Sequence, residues 1–161
     1  MFWARNQLVT DRIALQIILW LTLALLLIAL PVYAEKPCLP VSFLPQSNEV
    51  FCLEVADTYA SRETGLKNRL SLPKSGGMIF VFPENAPRVF WMKNTMMELD
   101  FLFLDDDGIV QNLVTHVQPG AIKIYGSARY VIELPGGVGE ALGLWPGDKI
   151  MLAKESLQSS P

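Results

Sequence analysis

The chain has 161 residues, 51% of them hydrophobic, and 13 Lys/Arg against 16 Asp/Glu leave it a net charge of −3. A chain of this size holds a single core, and its acidic balance excludes both the basic face of a nucleic-acid binder and a polybasic patch for anionic lipids. With one histidine and two cysteines it lacks the four N or S ligands of a tetrahedral zinc site, so neither a metal nor a cofactor is expected.

Residues 1–34 read as an address. Arg5 and Arg12 flank the start of an apolar run, residues 13–30, in which only Gln16 and Thr22 are polar, and Pro31, Val32, Tyr33 and Ala34 follow. A positive n-region, an apolar h-region and compact residues at the end make a signal peptide, with Pro31 breaking the helix ahead of cleavage after Ala34. The run is also long enough to span a bilayer, so an uncleaved N-terminal anchor is the alternative. Both readings place residues 35–155, a single β-rich domain, outside the cytoplasm, periplasmic or secreted in the first case and membrane-anchored in the second. Residues 35–37 lack the small and apolar residues of a lipoprotein acylation site.

In an oxidising compartment the pair Cys38 and Cys52 reads first as a disulfide that ties the mature N-terminus to the first strand. From residue 50 onward the hydrophobic period is mostly two. Residues 50–55 read as a strand, Asp57 and Thr58 as N-cap chemistry for a short helix, and Gly65 as its end. A loop rich in Pro, Ser and Gly spans residues 66–77. Residues 78–82 form a buried strand stopped by Pro83, and another strand begins at residues 89–92. Residues 99–104, the tip Asp105-Asp106-Asp107-Gly108 and then Ile109-Val110 read as a hairpin. The three aspartates lack the alternating ligands and distant glutamate of a calcium loop, so the tip is read as solvated. Residues 130–134 are a further strand, 135–137 a turn, 138–142 a short helix closed by Gly143, and 149–152 a last strand. The tail, residues 156–161, reads as disordered. The expected fold is mainly β with a minor α component, a small β-barrel or sandwich with one or two short helices.

Five separated blocks then carry a resemblance. Arg62-Glu63-Thr64-Gly65-Leu66 with Arg69, the run Gly77 through Phe82, Phe90-Trp91-Met92-Lys93-Asn94-Thr95, Leu99-Asp100, and Gly143-Leu144-Trp145-Pro146-Gly147-Asp148 resemble, in order, the prokaryotic family named domain of unknown function 192 (DUF192). The resemblance implies a compact β-rich domain and no particular activity. Two positions depart from the family pattern: Lys67 stands where a methionine is usual, and Glu98 where a proline is usual.

Candidate site residues cluster in two of these blocks. In a strand, Trp91, Lys93 and Thr95 would share one face and Met92 and Asn94 the other, and an indole beside an ammonium and a hydroxyl can stack a planar group and hold an anion. The structural alternative pairs Lys93 with Asp100 or Glu98 and uses Asn94 to cap a turn. Arg62 and Arg69 offer a second anion contact or, alternatively, tie a helix end to an acidic neighbour. Catalysis has little to stand on, because there is no Gly-x-Ser-x-Gly elbow and the single histidine, His116, lies in a loop-like stretch. The expected function is a non-enzymatic binding or accessory domain that recognises a small anionic or carbohydrate-like ligand, or a protein segment, through Trp91, Lys93, Asn94, Thr95, Arg62, Arg69 and Asp100. Alternatives are a small hydrolase that uses Asp100 or Glu98 with Lys93, and a structural envelope protein. The expected partners are such a ligand or another envelope protein, not nucleic acid, and the oligomeric state stays open.

Overall fold

The structure is a computed structural model that describes residues 38–43 and 47–153, together with Gln16, Trp20 and Leu157. Residues 1–34, the expected leader, thus lie outside the described residues except at Gln16 and Trp20. Of the tail only Leu157 is described, and it is buried. Residues 36–161 form one compact unit.

Six strands and two short helices follow one another as β1 (Leu39–Ser42), β2 (Val50–Ala56), α1 (Tyr59–Thr64), β3 (Gly76–Trp91), β4 (Leu99–Leu104), β5 (Val110–Val117), β6 (Ile122–Pro135) and α2 (Val138–Ala141). The domain is mainly β, as expected from the period-two patterning. The strands form one mixed sheet in the order β1-β2-β3-β6-β4-β5. All neighbours are antiparallel except β2 and β3, which run parallel with Cys52 opposite Gly76 and Ala56 opposite Phe80. A parallel pair needs a crossover, and α1 with the loop behind it supplies one.

The helix ends where its side chains dictate. Thr58 Oγ1 accepts from Ser61 N–H at 3.0 Å and Ser61 Oγ accepts from Thr58 N–H at 3.0 Å, a reciprocal cap that satisfies two orphan donors. Gly65, at φ 49°, stops it.

Three expectations need correction. Pro83 does not stop a strand: β3 runs on through it to Trp91, because the pairing with β6 is interrupted between Val81 and Ala86, where a missing N–H costs no ladder bond; Pro87 lies in the resumed pairing, opposite Ser127. His116 sits in β5, not in a loop. Residues 149–152 form no strand, only isolated bridges from Lys149 to Ile109 and from Met151 to Ser42.

The sheet is buried on both faces, which is why all six residues of β4 are buried and show no polar alternation. One face packs Phe43, Phe51, Leu53, Ile79, Leu102, Ile132 and Leu134. The other packs Met78, Phe80, Met92, Phe101, Phe103 and Val131. On this second face Phe90 is the hub of an aromatic cluster, its ring centroid 5.2 Å from Phe80, 5.7 Å from Phe101 and 6.0 Å from Phe103. Gly126 makes room for that cluster, since a Cβ there would lie 2.4 Å from the Phe103 ring. Cys38 and Cys52 form the expected disulfide, with Cα atoms 5.3 Å apart, and fasten the start of β1 to β2.

Candidate functional site

Between α1, the turn after it and the aromatic face of the sheet lies a cavity of about 560 Å³. Its walls come from Phe80, Phe82, Phe90 and Trp91 of β3, and its charged lining from Arg62 and Glu63 of α1, Lys67 just beyond, Arg88 of β3 and Glu133 of β6. The volume is that of a small-molecule site, with aromatic walls and several charged groups in the lining.

The sequence candidates divide around it. Trp91 and Arg62 line the cavity; Lys93, Asn94, Thr95, Arg69 and Asp100 do not. Trp91, the last residue of β3, is 57% exposed, Met92 is buried and Lys93 is exposed, but Lys93 and Asn94 already form the turn that the Thr95 N–H closes on the Met92 carbonyl. Asn94 then adopts φ 61°, a left-handed turn conformation that reverses the phase, and Thr95 is buried rather than sharing a face with Trp91 and Lys93. The two candidate segments nevertheless meet. Asn68, also at φ 61°, donates its N–H to the Asn94 carbonyl at 2.7 Å, which joins the loop after α1 to the turn after β3.

Arg62 donates through Nη1 to the carbonyls of Asp57 and Val81, the latter at 2.8 Å, and its guanidinium lies 5.2 Å from the Phe82 ring. Arg88 sits over the same ring at 4.1 Å and donates to the Ala128 carbonyl at 3.3 Å. Partial burial lowers its pKa, and the neighbouring Arg62 charge acts the same way. Arg69 is instead taken up by Glu54 in a two-pronged ion pair, Nη2 to Oε2 at 2.9 Å, which raises its pKa.

Asp100 serves the scaffold. It is fully buried; Oδ1 accepts from His116 N–H at 2.8 Å and Gly137 N–H at 3.0 Å, and Oδ2 from Gly139 N–H at 2.7 Å. Gly137 occupies the N-cap of α2 and has no side chain to cap it, so Asp100 supplies the cap from the neighbouring strand. Glu98, two residues earlier, is drawn elsewhere. It binds His116 Nδ1 and accepts from Gln118 Nε2 at 2.6 Å, while His116 Nε2 reaches Glu140 at 3.0 Å. Flanked by Glu140 and Glu98, His116 has a raised pKa, and the Gln118 and His116 donors lower that of Glu98. Lys93 pairs with neither carboxylate in any contact recorded among the described residues.

Glu133 is the residue that sequence reasoning missed. It lies opposite Met78 and Phe101 in the neighbouring strands and is 5% exposed, and its carboxyl makes no hydrogen bond or ion pair among the described residues. Burial pushes its carboxyl up from 4.5 to about 8. The only signal in the sequence was one acid inside an otherwise apolar strand, Val131-Ile132-Glu133-Leu134.

Comparison with known proteins completes the picture. The family model DUF192, described as an uncharacterised ACR family, matches residues 43–152. Among curated proteins nothing matches. A crystal structure of a candidate transcription regulator from Sinorhizobium meliloti 1021 is 30% identical, with a TM-score of 0.67 over 74% of this chain and 98% of its own. A crystal structure of a protein of unknown function from Novosphingobium aromaticivorans DSM 12444 is 31% identical, with a TM-score of 0.67 over 76% of this chain and 89% of its own.

Proposed function

The chain belongs to the DUF192 family, and on that premise we propose that it is an exported, non-enzymatic binding domain which holds a small anionic or carbohydrate-like ligand in the cavity between α1 and β3. The observation that carries this reading is the coincidence, in one cavity of about 560 Å³, of aromatic walls with three cationic side chains, Arg62, Lys67 and Arg88. Aromatic faces stack a planar or sugar-like body, and the cations hold an acidic group. Lys67 departs from the family's usual methionine at the lining itself, so the charge this member offers its ligand is its own. The scaffold we take to be sandwich-like rather than a barrel, since β1 and β5 end the strand order with residues buried on both faces between them.

Binding is favoured over the hydrolase alternative by the state of the two carboxylates. Asp100 spends both oxygens on three backbone N–H groups, and Glu98 is held by His116 and Gln118 outside the cavity lining. Neither is placed as an acid beside a reacting bond.

A thermal-shift and fluorescence screen of small acids and sugars on the domain from residue 35 tests the reading. A ligand should raise Tm and change Trp91 emission. Lys67→Ala should weaken an acidic ligand about ten- to a hundred-fold, the worth of one charge-assisted contact, while Lys93→Ala leaves binding unchanged. Equal affinity in the Lys67 variant, or no ligand response at all, would remove the cavity as the site.

A further inference from the structure

We infer that Glu133 makes this cavity specific for a ligand carrying an ammonium group, so that the bound molecule is a small zwitterion, its amine at Glu133 and its acid group at the cationic side chains. The inference rests on the proposed anion-binding cavity and adds the second half of the ligand.

Two buried carboxyls stand on adjacent strands, Asp100 on β4 and Glu133 on β6, in opposite circumstances. Asp100 is shut off from water and fully supplied with donors, as buried acids generally are. Glu133 is nearly as buried, yet it has no partner among the described residues and lines a cavity. Cations of the chain do lie along the same cavity, but none of them forms an ion pair with Glu133 among the described residues. Arg62 is held by the Asp57 and Val81 carbonyls, and Arg88 by Phe82 and the Ala128 carbonyl. The remaining titratable lining groups are Lys67 and, on exposed positions of α1, Tyr59 and Glu63. A carboxyl left without a partner in a cavity lined by aromatic side chains is complementary to an organic cation, which gains the ion pair and an aromatic surround.

The proton balance is explicit. In the empty site burial keeps the carboxyl protonated at neutral pH, in keeping with its pKa of about 8. When R–NH₃⁺ enters, the carboxyl O–H bond breaks, the carboxylate pairs with the ammonium, and one proton leaves to the buffer. No redox or covalent step is involved.

Three probes separate the two halves of the site: phenylalanine, 3-phenylpropionate, which lacks the amine, and 2-phenylethylamine, which lacks the acid. Each is titrated into the domain by calorimetry in two buffers of different ionisation enthalpy, with Tm of every variant measured alongside. Phenylalanine should bind at least tenfold more tightly than either truncated probe. Binding of phenylethylamine at pH 6.5 should release about one proton, and its affinity should rise about tenfold from pH 6 to pH 7. Glu133→Gln, which mimics the protonated acid in shape, should abolish the proton release and the preference for phenylalanine over phenylpropionate, yet leave phenylpropionate affinity unchanged.

Should phenylpropionate bind as well as phenylalanine with no proton released, Glu133 does not read an amine, and the anion-binding reading survives alone. If phenylethylamine binds with proton release while phenylpropionate shows no affinity, the zwitterion is overturned together with the anion-binding reading. Silence from all three probes overturns both readings. Because the pH series uses the unmodified chain, misfolding of Glu133→Gln would not rescue the inference.

Discussion

Asp100 and Glu133 differ by who meets their oxygens, and at Glu133 burial without a partner sets how the residue responds to pH. Glu133 has a folded pKa of about 8, above the ordinary 4.5, so its contribution to stability is fully present below about pH 4.5 and lost as pH rises through 8. The loss is on the order of 4–5 kcal/mol at about 1.4 kcal/mol per unit. His116 acts in the same direction: its raised pKa makes its contribution complete below about 6.5 and lost as pH rises through the folded value. Glu98 acts oppositely, since its lowered pKa confers stability above about 4.5 that disappears as pH falls through the folded value. His116→Ala should therefore flatten part of the alkaline decline in Tm and also shrink the acid-side loss that Glu98 causes. A series of melting curves from pH 3 to 9 at low salt checks this, and a profile identical to that of the unmodified chain would show that the exposed triad is indifferent.

At the scale of elements, the informative cases are β3 and the β1–β2 pair. Two prolines made residues 78–92 read as two strands, yet β3 continues because the break in its pairing with β6 falls between Val81 and Ala86. Proline chemistry was read correctly and its position in the ladder was not, since register belongs to the partner strand. β1 is four residues long and, apart from a single bridge from Ser42 to Met151, pairs with β2, so the disulfide is its covalent tie to the sheet. Replacing Cys38 and Cys52 together by Ala should cost about 3 kcal/mol, the chain-entropy value for a loop of roughly 15 residues. Urea melts of the two forms measure it. An unchanged midpoint would mean that β1 is held by its buried Leu39 and Val41 alone. The hairpin β4–β5 was legible to its tip: Asp105 Oδ1 accepts from Asp107 N–H at 2.9 Å and Ile109 N–H at 3.0 Å, a turn made by near neighbours, onto which the remote residues 148–150 then bond.

For the whole molecule, the question is where a domain with two buried sheet faces works. Its disulfide accords with the oxidising compartment that the leader predicts. Expressed with residues 1–34 in a Gram-negative host, the mature protein should begin at Glu35 and be recovered from periplasm or medium, as intact mass and fractionation would report. A mass that retains the leader, in the membrane fraction, would assign the anchored form.

What the sequence determined by itself was whatever depends on near neighbours along the chain. The β class follows from period-two apolar patterning, α1 from Thr58 and Gly65, the hairpin tip from the Asp-Gly signal at Asp107-Gly108, and the family from five ordered blocks. It also placed Trp91 and Arg62 among the site candidates, and both line the cavity. Tertiary structure decided the rest, because the deciding partners are remote. Asp100 became a cap only when β4 came beside Gly137 and Gly139. Thr95 left the Trp91 side only because the turn at Asn94 closes onto Asn68. Glu133 acquired its character from burial between Met78 and Phe101, strand neighbours 55 and 32 residues away by number, and burial is a property of the packed sheet rather than of any local pattern.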